Sequence, residues 1–154
     1  MRLRILRRMS NPDATTLAYA TRLELAQRLN TYGILPTPQR LEIAAMLLAE
    51  TQHLSADQVM EKMSRCGAVV SKATVYNTLG LLVERGLLRQ VSVDSSKVFY
   101  DSNTRPHYHF YNLDDGTLTD VEAQPPLLAD LPSPPSGTYA CGMDIVIRIR
   151  HNNI

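Results

Sequence analysis

Cysteine is scarce in this chain of 154 residues. Cys66 and Cys141 are its only two, and neither belongs to a C-x-x-C pair. That excludes a disulfide framework and a cysteine-based structural zinc site, and it points to a reducing cytoplasm. Long apolar runs are also missing. No stretch reaches the roughly 18 apolar residues that a membrane-spanning helix needs, so no membrane partner is expected. The opening MRLRILRRMS carries Arg2, Arg4, Arg7 and Arg8, but no apolar segment of signal-peptide length follows it. Residues 1–16 read as a flexible basic arm. A strong charge of either sign is lacking too, since the net charge is +1, which by itself decides nothing about nucleic acid.

The distribution of charge says more. Residues 1–100 hold 13 Lys and Arg against 8 Asp and Glu, whereas residues 101–154 hold 3 against 7. A basic front and an acidic back suggest an anion-binding part and a cation-binding part. With 44% hydrophobic residues the chain can form one domain or two small ones.

Apolar spacing predicts a first helix over 17–31 through Ala18, Leu25 and Leu29, with Tyr32 continuing the stripe and Gly33 ending it. Thr37 is placed as the N-cap of a second helix with Pro38 in its first turn. Leu41, Ala44, Ala45 and Leu48 make its apolar face, and the helix runs to about Glu50. Residues 51–54 read as a short connection. Ser55 then caps a third helix, with Gln58 at the capping-box spacing and Ala56, Val59, Met60 and Met63 as its buried stripe. Gly67 breaks it. Ser71 caps a fourth helix to about Arg85, with Val75, Leu79, Leu82 and Val83 inward, and Gly86 stops it. Two β-like runs, 87–93 and 97–100, flank Asp94-Ser95-Ser96 as a hairpin.

Successive short helices followed by a hairpin describe a winged helix-turn-helix, in which the last helix enters the DNA major groove. Small Ala73 and Gly80 would let that helix approach DNA, with Tyr76 and Asn77 able to reach bases or phosphates. An ordinary surface helix with a polar outer face remains the competing reading of the same pattern.

Residues 101–120, DSNTRPHYHFYNLDDGTLTD, hold two of the four histidines. His107 and His109 alternate across Tyr108, so an extended strand turns both imidazoles to one face. Asp101 precedes them and Asp120 follows. Paired histidines with flanking carboxylates suit a divalent metal; a polar strand edge with incidental histidines is the alternative that spacing leaves open. Runs 107–113 and 117–121 form a second hairpin around Asp114-Asp115-Gly116. A short helical stretch is expected over 127–131. A strand follows over 143–150, with Ile145, Ile147 and Ile149 on one face and Val146, Arg148 and Arg150 on the other. A module spanning 101–154 is too small to be stable alone and is expected to pair with a second copy.

The blocks TPQRLEIAAMLL, HLSADQVM, SKATVYNTLGLLVERGLL, KVFYDSN, HYHFYN and GTLTDVE, in this order and spacing, resemble the ferric uptake regulator family over about residues 25–150. The resemblance implies an α+β protein: a winged-helix DNA-binding domain over 17–100 and an α/β metal-sensing dimerisation domain over 101–154. It adds His53 to Asp101, His107, His109 and Asp120 as ligands of a regulatory metal. That set suits Fe²⁺ or Mn²⁺ better than a closed tetrahedral zinc site, although Zn²⁺ can enter it in vitro. His151 is left as a solvated end. The resemblance further places Arg40 and Lys72 on DNA phosphates, with Thr74, Tyr76 and Asn77 at the groove. It implies a homodimer on a palindromic operator, a repressor of iron homeostasis or oxidative-stress genes, no enzyme activity and no small-molecule substrate.

The sequence departs from the family pattern in one respect that matters: Asn112 and Asp115 stand where a structural zinc would have its C-x-x-C. GLLRQVSVD and DIVIRIR look most like the iron response regulator branch, yet His-Tyr-His replaces that branch's three consecutive histidines. No Cys-Pro haem motif follows Cys66 or Cys141, which counts against haem. The ligand pattern looks equally like the peroxide-sensing branch, in which His53 and His107 would be oxidised by bound iron. A non-haem iron enzyme is the reading from another class, and no substrate-cleft residues support it.

Overall fold

A computed structural model describes residues 14–121, 132–141 and 143–152, with the side chains of the first helix from residue 21 onward. Most of the expected arm, and the helix expected over 127–131, lie outside the described residues. The order of elements is α1 (Ala14–Thr31), α2 (Pro38–Leu48), β1 (His53–Leu54), α3 (Ala56–Arg65), α4 (Lys72–Glu84), β2 (Arg89–Ser92), β3 (Val98–Asp101), β4 (Tyr108–Asn112), β5 (Leu118–Val121) and β6 (Val146–Ile149). No described helix is long and apolar enough to cross a membrane.

Local chemistry starts and stops the helices as the sequence predicts. The side chains of Thr37, Ser55 and Ser71 accept from the backbone N–H groups of Arg40, Gln58 and Thr74, satisfying donors that have no partner inside the helix. Gln58 reaches back to the Ser55 N–H at 2.8 Å and completes the capping box. At the end of α4, Gly86 adopts φ 76°, a conformation that costs a residue with a Cβ. The turn lets the N–H of Leu87 bond the Leu82 carbonyl at 2.8 Å and aims the chain into β2.

The four helices enclose Leu29, Ile34, Ile43, Leu47, Val59, Val75, Leu79 and Leu82, all buried. Truncating such a residue, Leu79→Ala for example, would cost about 2–5 kcal/mol. Two expected faces differ in detail. Tyr32 is exposed because the helix has already closed at Thr31, and the Ile34 N–H returns to the Leu29 carbonyl. The inner face of α2 is centred on Ile43, Ala44 and Leu47, leaving Ala45 exposed.

Two antiparallel hairpins build two three-stranded sheets, ordered β1-β3-β2 and β5-β4-β6. The residues 51–54 expected as a connection include a strand: His53 pairs with Asp101 and Leu54 with Tyr100. β6 joins β4 in parallel, a pairing that needs a long crossover. The sheets meet through a second core of Val91, Val93 and Phe99 from one and Tyr111, Leu118 and Val146 from the other. Lys97 reinforces that contact. Its Nζ lies 5.3 Å from both the Phe99 and Tyr111 ring centres and donates to the Tyr111 hydroxyl at 3.2 Å. The strand expected over 143–150 is shorter, and of its alternating residues Ile145 and Val146 are partly buried while Ile147 and Ile149 are exposed.

Candidate metal centre

The site forms where the two sheets face each other. β1 and β3 bring His53 and Asp101 into register, and β4 and β5 bring His109 and Asp120 into register. His107 stands just before β4. The loop from Asp101 to His107 is short enough to hold one sheet's edge against the other. Asp101 ends β3, so two ligand candidates stand on the first sheet and three belong to the second hairpin.

The five residues offer one donor atom each, all within 4.8 Å of one another. His107 Nε2 lies 2.9 Å from His109 Nε2, 3.0 Å from Asp101 Oδ2 and 3.0 Å from Asp120 Oδ1. His53 Nε2 lies 2.8 Å from Asp120 Oδ1, and His109 Nε2 lies 3.3 Å from Asp101 Oδ2. At the bond lengths of about 2.0–2.2 Å usual for nitrogen and oxygen ligands, two donors at right angles around one ion lie about 3 Å apart. The cluster has that spacing. Asp101 is fully buried and His109 nearly so, while Asp120 keeps a quarter of its side chain exposed.

The hydrogen bonds show what the cluster lacks. His107 Nδ1 is 2.6 Å from the Arg105 carbonyl, which can only accept, so this nitrogen carries the proton. In the neutral ring Nε2 then holds a lone pair, directed at two carboxylates and another imidazole nitrogen. His53 Nε2 and Asp120 Oδ1 are buried and make no hydrogen bond of sound geometry, although they are close. Such convergence is costly unless positive charge is shared among the groups. A protonated imidazole or a divalent cation would supply it, and the donor set of three nitrogens and two carboxylates fits the cation.

The ionisation shifts have the same origin. Burial opposes charge on His53, but the carboxylates of Asp101 and Asp120 close beside its Nε2 outweigh it and raise the pKa above its ordinary value. For Asp101, burial favours the neutral acid. The hydrogen bond from His109, the His53 imidazole close by and the Asn103 N–H prevail, holding the carboxyl well below the usual carboxylate range.

Several supporting residues were not singled out from the sequence. Asn103 touches both carboxylates. Ser102 Oγ donates to the Glu50 carbonyl at 3.0 Å and accepts the Gln52 N–H at 3.1 Å, which ties the strand of Asp101 to that of His53. Arg89, directly opposite Asp101 in the β2–β3 ladder, donates to the same Arg105 carbonyl that orients His107 and to Asp144 beyond it. Only the flanking position of Gln52 and Ser102 beside ligand candidates could have drawn attention to them.

A family model described as the ferric uptake regulator family matches residues 31–127, well over half of the chain. The chain belongs to the ferric uptake regulator family. Among curated members, a peroxide-responsive repressor PerR of Staphylococcus aureus is 31% identical over 94 residues, covering 61% of this chain and 64% of the relative. The chain thus spans less than two thirds of the length of the curated relatives it matches. Among solved structures, the ferric uptake regulator of Vibrio cholerae has a TM-score of 0.64 at 20% identity, covering 82% of this chain and 98% of that one. The regulator from Pseudomonas aeruginosa, solved with manganese, gives 0.60 at 23%, covering 82% and 96%. These two likenesses establish the family's α+β fold for this chain.

At the family's C-x-x-C positions the chain has a polar network. Asn112 Nδ2 donates to Asp115 at 3.1 Å and lies 3.1 Å from His151 Nε2. His151, expected as a solvated end, is exposed but tethered there, its N–H bonding Asp114 at 2.8 Å. The residues assigned to DNA stand elsewhere, on α2 and α4. Lys72, Tyr76 and Asn77 are exposed, and the Lys72 Nζ lies 5.7 Å from the Tyr76 ring centre. Thr74 is half-buried beside its cap partner Ser71. Arg40 is also half-buried and donates to the Leu35 carbonyl at 3.1 Å.

Proposed function

We propose that this protein is a metal-responsive DNA-binding transcription regulator that acts as a homodimer. The observation that supports it most is the convergence of His53, Asp101, His107, His109 and Asp120 from two sheets, within a chain of the ferric uptake regulator family. Residues 17–100 would be the DNA-binding unit and 101–154 the sensing and dimerising unit, with 1–16 as a basic arm. Fe²⁺ or Mn²⁺ are the ions that best match the five N/O donors. Bound there, a divalent cation would supply the positive charge that two convergent carboxylates and three imidazole lone pairs call for.

The chain's own residues do the rest. His53 and Asp101 belong to the sheet that carries the wing hairpin; His107, His109 and Asp120 belong to the other. Holding all five together fixes the two sheets in one relation, so the ion favours whichever orientation of α4 is competent for DNA. Arg40 and Lys72 would contact phosphates, and Thr74, Tyr76 and Asn77 would face the groove. Exposed Ile147 and Ile149 on β6 suit pairing with a second copy, which would present two α4 helices to a palindromic operator as a repressor does.

The test is operator binding by one anaerobic preparation with Fe²⁺, Mn²⁺ or a chelator. The expected result is an affinity that the chelator abolishes and either ion restores; an affinity indifferent to all three sinks the proposal. Asn77→Ala should weaken operator binding by about 1–3 kcal/mol with Mn²⁺ affinity intact. If operator affinity is unaltered, α4 is not the reader.

A peroxide-sensing role is a second reading, favoured by the similarity to PerR and by His107 and His53 lying together at the centre. Its signature is a mass increase of one oxygen on His53 or His107 after peroxide treatment of the iron-loaded protein. Peroxide that releases no DNA and leaves both residues unmodified eliminates it.

A further inference from the structure

Asn103 lies outside the five donor residues, yet it bonds both carboxylates of the cluster, one through its backbone and one through its side chain. Its backbone N–H donates to Asp101 Oδ1 at 2.7 Å, and its side-chain Nδ2 donates to Asp120 Oδ2 at 3.0 Å. We infer that Asn103 is a positioning residue of the candidate metal centre, fixing Asp101 and Asp120 so that each presents a single oxygen to the cluster. This inference rests on the metal-binding reading given above.

The free oxygens are the ones that point inward. Asp101 Oδ2 faces His107 and His109 at 3.0 and 3.3 Å, and Asp120 Oδ1 faces His53 and His107 at 2.8 and 3.0 Å. The outward oxygens are those that Asn103 holds, although Asp101 Oδ1 also lies 3.5 Å from His53 Nε2. Asn103 is itself anchored, because its Oδ1 accepts the Arg105 N–H at 3.3 Å. Arg105 in turn offers its carbonyl to His107 Nδ1. One short loop therefore orients three of the five donors.

A primary amide suits this place on chemical grounds. It is neutral, so it adds no charge to two carboxylates already close together, and it has a donor for Asp120 and an acceptor for Arg105. An aspartate of the same shape would turn an oxygen toward Asp120 Oδ2, replacing attraction by repulsion. With each carboxylate limited to one oxygen, the centre offers three nitrogens and two oxygens. That set matches Mn²⁺ or Fe²⁺ and falls short of the six to eight oxygens that Ca²⁺ takes. Asn103 thus contributes to the choice of ion as well as to affinity.

The test is Mn²⁺ titration of the full chain, followed by electron paramagnetic resonance. Free ion gives the affinity, and the bound-ion spectrum at saturation reports the symmetry of the site. Asn103→Ala should lower Mn²⁺ affinity by about 10- to 100-fold, the range for residues that support metal ligands, and alter the bound spectrum. Asn103→Asp should lose more. Both keep the backbone bond to Asp101, so the loss should run through Asp120: in an Asp120→Ala background, removing the Asn103 side chain should change affinity by less than about twofold. An equal loss in both backgrounds would mean general destabilisation and overturn the role. Asn103→Ser, which keeps a small polar group, serves for the same cycle should circular dichroism show the Ala variant altered. A wild-type protein that takes up no Mn²⁺ overturns the metal centre itself. Wild-type binding with unchanged affinity and spectrum in the variants overturns only Asn103.

Discussion

The two ends of the β4–β5 hairpin carry similar residue types in opposite circumstances. At one end His107, His109 and Asp120 meet His53 and Asp101. At the other, Asn112, Asp114 and Asp115 meet Arg150 and His151. Around the turn each carboxylate is satisfied by nearby donors. Asp115 Oδ1 accepts the Thr117 N–H and hydroxyl at 2.9 and 2.6 Å, and Asp114 accepts the His151 N–H and the Arg150 guanidinium at 2.8 and 2.7 Å. These bonds, with the backbone N–H of His151 foremost for Asp114 and the Thr117 hydroxyl for Asp115, hold both acids below the usual carboxylate range. Nothing there calls for a cation. In the buried cluster, by contrast, lone pairs and carboxylate oxygens point at one another with too few protons between them. The same residue types favour a cation where burial removes water and leaves their inner atoms unsatisfied.

The largest expected effect breaks the buried cluster. His109→Ala should reduce Mn²⁺ affinity by more than the roughly 100-fold upper range for supporting residues, as read by isothermal titration. A loss below about tenfold would mean that His109 is not a ligand.

Acidity provides a smaller and more discriminating contrast. The raised pKa of His53 means that its stabilising contribution in the metal-free protein is fully present below its unfolded value of about 6.5. That contribution is lost as pH rises through the higher folded value. Asp101, with its depressed pKa, remains ionised throughout that window; its own contribution is lost only in strong acid. Thermal denaturation of metal-free protein should therefore show stability falling as pH rises above about 6.5, with the fall diminished in Asp101→Asn. Mn²⁺ affinity should move the other way, rising by up to about tenfold per pH unit for one displaced proton. Affinity that is flat across the same window would remove His53 from the ligand set.

The smallest effects belong to the turn. Asp114→Ala and His151→Ala should leave Mn²⁺ affinity within about twofold of wild type and both pH trends unchanged, because exposed pairs are screened by water and salt. A tenfold loss from either would show that the two ends of the hairpin are coupled.

Local signals specify some parts of this fold and not others. The caps at Thr37, Ser55 and Ser71 were legible because capping is decided within four residues. The second hairpin was legible because Asp114-Asp115-Gly116 states its turn, with Gly116 at φ 72°. The two-residue strand β1 was not. His53 and Leu54 are extended because β3 offers them partners some 46 residues later, and no local signal carries that information. The same holds for the pairing of β6, whose alternation marks a strand but does not say that it joins β4 in parallel.

What the sequence determined by itself was the succession of helices and hairpins, the caps that start three of the helices and, through its resemblance to a family, the names of five candidate donor residues. Their convergence was decided by tertiary structure alone. His53 and Asp120 lie far apart in the chain, and their 2.8 Å approach depends on two sheets packing through Val91, Phe99, Tyr111 and Leu118. The support from Asn103, Ser102 and Arg89 depends on it as well. Periodicity and capping act over a few residues, whereas hydrogen bonds between strands are set only when a hydrophobic core has closed.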